Sequence, residues 1–212
     1  MRRFGLAPLL GILLVAACAT ADSHGDGAHG THHHGSKQAM DLAPGEVAGD
    51  SIYQLDSRWT LPEGRAVPLS HLRGRVQVLA MIYTHCEHAC PRIIADMRRI
   101  SRELGPEGDR VGYALVSLDP ERDDPARLLA FAEQTGLEGW TLLTSDEGSV
   151  RELAAVLGIR YRRISESDFL HSNLLSVLDP DGVVVHRQVG LGADPQAALR
   201  VIRNLLGEED SP

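Results

Sequence analysis

Residues 76–83, VQVLAMIY, form a nearly unbroken apolar run of strand length. Such a run is stable only where both faces of the strand are covered, which makes it the central strand of a sheet with helices packed above and below. The segment that follows supplies one of those helices. Residues 91–104 carry Ile93, Ile94, Met97, Ile100 and Leu104 at helical spacing, with Pro91 suited to the first turn and Gly105-Pro106 to the end. At 212 residues, 43% hydrophobic and 24% charged, the chain has the composition of a globular protein and ample length to bury such a core without disulfide staples. Its 3 cysteines are therefore free to serve chemistry.

The pattern continues as an alternation of short β-type and helical stretches. A second strand is predicted over residues 111–118, then a helix over 126–134 that follows Asp124-Pro125 and stops at Gly136. A short apolar run at 140–143 and a helix over 147–157 ended by Gly158 come next. Strands over 174–178 and 183–188 flank Asp179-Pro180-Asp181-Gly182, a hairpin turn signal, and a helix over 195–206 closes the domain. Ahead of the central strand, residues 52–55 and 66–69 flank Pro62-Glu63-Gly64 and predict a hairpin. This order resembles the thioredoxin-like fold, an α/β fold with a central mixed β-sheet flanked by helices, here with an N-terminal β-hairpin extension and spanning residues 49–208.

The first 48 residues read differently. Arg2 and Arg3 precede an apolar stretch over residues 6–17, long enough for a signal peptide and too short to span a bilayer. It ends in Val15-Ala16-Ala17-Cys18, which resembles the bacterial lipoprotein signal. Residues 1–17 are accordingly expected to be cleaved, leaving Cys18 as a lipid anchor to the membrane and the domain facing the periplasm or extracytoplasmic space. Residues 18–48 are small and polar, the expected flexible tether, with His24, His29, His32, His33 and His34 close together. That tract reads either as a loose, exchangeable metal site or as a solvated tether that happens to be rich in histidine. The net charge of −8, or −10 without the two leader arginines, excludes nucleic acid as a partner.

The remaining cysteines lie in Tyr83-Thr84-His85-Cys86-Glu87-His88-Ala89-Cys90-Pro91, between the central strand and the first helix. Unsatisfied backbone N–H groups and the positive end of the helix dipole stabilise thiolate there, and thiolate is both nucleophile and metal ligand. The spacing puts both sulfurs on one side, within reach of a disulfide or of joint coordination of a soft ion. A structural disulfide closing so short a loop adds little stability, so chemistry is the better reading. The site also follows the carboxyl end of a central strand, where α/β sheets bind ligands.

Topology suggests a third group. If residues 174–178 run antiparallel to the central strand, their start lies beside its end, and His171 just before them faces the two sulfurs. Cys86, Cys90 and His171 then form a soft, low-coordinate set suited to Cu(I) and able to take Cu(II) with an added ligand. His85 and His88 are rivals by proximity, but so tight a turn cannot aim every side chain at one ion, and both are expected to face solvent. His71 and His186 read as surface residues.

These motifs resemble the Sco/SenC family of copper chaperones over residues 47–207. The likeness rests on Leu72-Arg73-Gly74-Arg75 before an apolar strand, Thr84-x-Cys86-x3-Cys90-Pro91, the loop from Ser117-Leu118-Asp119-Pro120 through Glu121-Arg122-Asp123, and Asp168-x2-His171-Ser172 before a strand. The resemblance implies that Cys86, Cys90 and His171 bind copper. It also implies that the protein helps assemble the dinuclear copper centre of cytochrome c oxidase, by delivering metal to the copper-receiving subunit or by reducing its cysteines. Glu87 departs from the family pattern, standing where many members have Pro, and the lipid anchor stands where members often have a transmembrane helix.

The alternative is a thiol-disulfide oxidoreductase using the same cysteines as a redox-active pair. Thioredoxin-type enzymes typically carry Cys-x2-Cys and a cis-proline before the hairpin strand; here the spacing is x3 and no Pro occurs between Pro125 and Pro180. A peroxidase is disfavoured because Leu79 and Tyr83 stand where peroxiredoxins have Pro and Thr. The loop from Asp119 to Asp123 is expected on the same sheet edge as the cysteines, either docking a partner and supporting the site or merely capping the next helix. Asp168 is expected either to orient His171 or to be solvated.

Overall fold

The computed structural model describes residues 51–166 and 168–207, which belong to one compact unit. The signal peptide, Cys18 and the histidine tract predicted above lie outside the described residues. Among those described, no helix is long and apolar enough to cross a membrane.

The chain opens with a hairpin of β1 (Arg58–Thr60) and β2 (Ala66–Pro68). The expected hairpin exists, but its first strand is not residues 52–55. Ile52–Gln54 instead form a 3-10 turn started by Ser51, whose side chain accepts from the Tyr53 N–H. Trp59, fully buried, takes the strand position that faces the core. An indole buries more apolar surface than any side chain in residues 52–55, and the backbone follows it.

The central strand is β3 (Gln77–Ile82), buried at every residue. It leads into α1 (Ala89–Leu104), which starts two residues earlier than the helical spacing suggested, so that Cys90 lies in its first turn. β4 (Gly112–Ser117), α2 (Pro125–Thr135), β5 (Thr141–Leu143) and α3 (Glu147–Leu157) follow as predicted. Asp124 and Asp146 cap α2 and α3, accepting the Arg127 and Ser149 N–H groups at 2.7 and 3.0 Å, and left-handed Gly136 and Gly158 end them.

Next comes a hairpin that the sequence pattern did not reveal, β6 (Tyr161–Arg163) paired antiparallel with β7 (Phe169–His171). The domain then finishes with β8 (Leu174–Leu178), β9 (Val184–Val189) and α4 (Gln196–Leu205). The main sheet runs β5-β4-β3-β8-β9. β3 is parallel to β4 and antiparallel to β8, with Ala80 opposite Leu115 on one side and Leu175 on the other. The sheet is therefore mixed, as a thioredoxin-like fold requires.

Strand periodicity divides the core in two. Val78, Ala80 and Ile82 face a layer containing Ile93, Met97 and Ile100 of α1 and Leu199 and Ile202 of α4. Leu79 and Met81 face the opposite layer, built from Trp59, Val67 and the α3 residues Val150, Leu153 and Leu157. Helix on one side, hairpin and helix on the other: this double cover is why β3 reads as continuous apolar sequence. His186 was expected at the surface and is only 6% exposed. It pairs with Val177 and shares a face with Gln188, the face of β9 that α4 covers, while a bulge turns Val184 to the opposite layer. Strand pairing decides which way a residue points, whatever its polarity, and here a bulge sets it.

Candidate metal centre

The site is built where β3 stops. The Tyr83 carbonyl accepts the Cys86 N–H at 3.1 Å, turning the chain toward α1. His88 occupies the N-cap position and makes no side-chain cap bond. The sulfur of Cys86 takes over that function, accepting the Cys90 backbone N–H at 3.3 Å. A free amide at a helix start thus stabilises negative charge on one sulfur.

Both cysteines are reduced, Cys86 half-buried and Cys90 buried beneath it. The Cys90 thiol donates to Cys86, and this contact is the largest cause holding the Cys86 pKa down at about 3. The His171 ring, the Cys90 N–H and the Tyr83 hydroxyl help, against the opposing effect of burial. Cys90 moves the other way: its bond to the Cys86 sulfur, reinforced by burial, pushes its thiol pKa up. The pair therefore rests as one thiolate, Cys86, and one thiol, Cys90, sharing a proton.

His171 ends β7, opposite Tyr161. Its Nδ1 lies 3.1 Å from the Ser172 carbonyl, which can only accept, so that nitrogen carries the proton. Nε2 is buried and without a hydrogen-bond partner. Cys86 Sγ, Cys90 Sγ and a ring nitrogen of His171 all lie within 4.8 Å of one another. Donors around a single ion with bonds of about 2.0–2.3 Å stand roughly 3.5–4 Å apart, so closure of about 1 Å completes the set. Two sulfurs and one imidazole whose Nε2 has no hydrogen-bond partner fit a soft monovalent ion. The structure brings His171 together with both cysteines. His85, Glu87 and His88 are exposed and belong to no such cluster.

A cleft of about 620 Å³ opens over the site, lined by Cys86, His171, Phe169, Leu170, Asp168 and Asn173 among others. Cys86 and His171 are thus reachable from outside while Cys90 stays beneath. The loop after β4 supports this arrangement from below. Asp123, fully buried, accepts the Thr84 N–H at 3.0 Å, the Thr84 hydroxyl at 2.5 Å and the Ser117 hydroxyl at 2.7 Å. Arg127 Nε donates to the Thr84 hydroxyl oxygen at 2.9 Å. Of the two readings of this loop, support for the site is the one its geometry favours; the helix cap is the neighbouring Asp124. Asp168 serves its own turn, its carbonyl accepting the Ile164 N–H at 2.9 Å, while the ring of His171 is oriented by Ser172.

Tyr83 has a role that sequence reasoning missed. Its ring meets His171 edge-on at 5.9 Å and packs against Phe169 at 5.2 Å, and its oxygen accepts the Phe169 N–H at 3.4 Å. Burial above all, with the neighbouring thiolate assisting, raises its pKa to about 12, so it remains a neutral phenol. The available signal was an aromatic residue ending the central strand just ahead of the cysteines, which also suits ordinary core packing.

Fold and site together define a thioredoxin-like domain whose helix-start cysteines are joined by an imidazole into a three-donor pocket. The SCO1/SenC family model matches residues 50–207. The SCO1 protein homolog of Bacillus subtilis is 30% identical over 138 residues, covering 63% of this chain and 72% of that one. Among solved structures, copper-bound ScoI of Bradyrhizobium japonicum superposes with a TM-score of 0.60 at 24% identity, over 70% of this chain and 96% of its own. BsSco, a member of the Sco family of cytochrome c oxidase assembly proteins, does so with a TM-score of 0.62 at 24% identity, over 76% and 97%. The chain belongs to the SCO1/SenC family.

Proposed function

We propose that this protein is a copper metallochaperone that carries its cargo on Cys86, Cys90 and His171 and assists assembly of the dinuclear copper centre of cytochrome c oxidase. The observation that carries the reading is the ring of His171, grouped with both sulfurs and carrying a buried Nε2 without a hydrogen-bond partner. A buried polar atom without a partner is costly, and an ion in the pocket removes that cost. Cu(I) suits three soft donors, and Cu(II) is accommodated when a further ligand joins. The exposed rim lets an acceptor protein approach Cys86 and His171 first, so cargo passes by stepwise ligand exchange. Family membership supports the oxidase as destination. The leader sequence supports an exported lipoprotein held to the membrane through Cys18, with residues 18–48 as tether and 49–208 as the working domain.

The test is an anaerobic Cu(I) titration of the whole chain against a competing chelator, repeated with His171→Ala and with both cysteines changed to Ser. One bound copper, weakened in His171→Ala and abolished in the double Ser variant, is expected; unchanged affinity in His171→Ala removes it as a ligand.

A second reading is favoured by the unequal cysteine pair. Cys86 thiolate can attack a client disulfide to give a mixed disulfide. Cys90, once deprotonated, then attacks Cys86, leaving the client with two thiols and the protein with a Cys86–Cys90 disulfide. A chain that ignores copper yet reduces disulfides is the result that selects this reading.

A further inference from the structure

We propose that Arg163 is a positioning residue that clamps the β6–β7 hairpin to the loop after β4 and thereby holds His171 against the two sulfurs; the proposal rests on the copper-site reading above. Arg163 ends β6, directly opposite Phe169, two residues before His171 on β7. Its Nη2 donates to Glu121 at 2.7 Å and to Asp119 at 3.3 Å. Its guanidinium lies 4.8 Å over the Phe169 ring. The planar fork suits this double duty, binding carboxylates with its edge and an aromatic ring with its face.

The clamp matters because, among the described residues, β6 and β7 pair only with each other and belong to no larger sheet. An isolated two-stranded hairpin is marginal in water, so its pose depends on what it packs against. Arg163 ties it to the same support that holds the cysteine loop. Asp119, fully buried, also pairs with Arg122, and its N–H donates to the Ser117 hydroxyl oxygen at 2.9 Å. Ser117 donates to Asp123, and Asp123 receives both the N–H and the hydroxyl of Thr84. Arg163, Asp119, Ser117, Asp123 and Thr84 thus form a continuous polar path from the histidine hairpin to the cysteines. On the other side, Phe169 under the guanidinium packs against Tyr83, which touches His171.

The experiment compares wild type with Arg163→Ala, His171→Ala and the double variant, reading Cu(I) affinity, the visible and paramagnetic spectra of the Cu(II) form, and amide hydrogen exchange of the metal-free protein. Arg163→Ala is expected to weaken Cu(I) binding about fivefold, below the ~10–100-fold typical of losing a direct support of a metal ligand. In the His171→Ala background it should weaken binding no further, because a clamp that acts through His171 has nothing left to hold. Its Cu(II) spectrum should move toward that of His171→Ala, and exchange at Phe169 and His171 should quicken while β3 stays protected. Arg163→Lys, which keeps the charge but loses the fork, should recover part of the affinity and serves if the Ala variant folds poorly. Additive losses in the double variant, or unchanged exchange in β7, would overturn the proposal. If wild type binds no copper, the function reading fails, and the exchange measurement still decides the clamp.

Discussion

The two halves of the ligand set are held in opposite ways. Cys86 and Cys90 sit at the junction of a fully buried strand and a 16-residue helix, anchored by elements that pack on both sides. His171 sits on a three-residue strand of a detached hairpin, with Leu170 beside it 61% exposed and Ile164 58% exposed. The cysteines are preorganised by the fold itself; the histidine is brought in by a few specific contacts. A site that must both grip an ion and surrender it has reason for such asymmetry, since the looser arm can withdraw while the sulfurs stay fixed.

The comparison can be broken at its rigid end first. Changing Cys86 or Cys90 to Ser should reduce Cu(I) affinity by more than about 100-fold, above the scale of losing an outer support, as measured by chelator competition. Asp123→Ala leaves the Thr84 N–H and two hydroxyls without their acceptor and should cost about 3 kcal/mol of folding stability in denaturant unfolding. At the looser end, His171→Ala should cost roughly 10–100-fold in affinity with little change in stability, because its Nε2 is unpaired before the ion arrives. Equal effects of His171→Ala and the cysteine variants on affinity would erase the proposed asymmetry.

Acidity sharpens it further. Cys86 is deprotonated in the folded chain down to about pH 3, so its alkylation rate should stay flat through the neutral range and fall only near that value. The native state binds fewer protons than the unfolded one at Cys86. The stability this contributes is complete at alkaline pH and is lost as pH falls through about 3. Cys90, pushed upward, should resist alkylation until the protein unfolds. The smallest effect expected is that of Tyr83→Phe, which removes one acceptor for the Phe169 N–H and should cost about 1 kcal/mol, with a slight rise in the Cys86 pKa.

Much of this architecture was legible along the chain. The central strand, four helices and the β8–β9 hairpin announce themselves through apolar periodicity, Asp caps and terminal glycines, all of which act over a few residues. The first strand was misplaced because Ile52 looks like strand core, while the decisive residue, Trp59, wins by packing against the opposite end of the chain's fold. The β6–β7 hairpin was invisible because Tyr161–Arg163 is short and mostly exposed, and the strand it pairs with is met only after a turn. His186 misled because its type suggests the surface, while its pairing with Val177 across a bulged β9 puts it inside.

For the site, local sequence determined the thiol pair: a cysteine just before a helix and another in its first turn suffice to define where a thiolate is stabilised, since backbone amides act at short range. The pairing of strands allowed His171 to be placed on the right edge of the sheet. Only the tertiary structure decided that its ring meets the sulfurs with Nε2 unpartnered, that Asp123 underpins the cysteine loop from 39 positions away, and that Arg163 joins the two. Those contacts join segments that no local propensity relates, and they exist only because burial of the sheet's two faces brings them together.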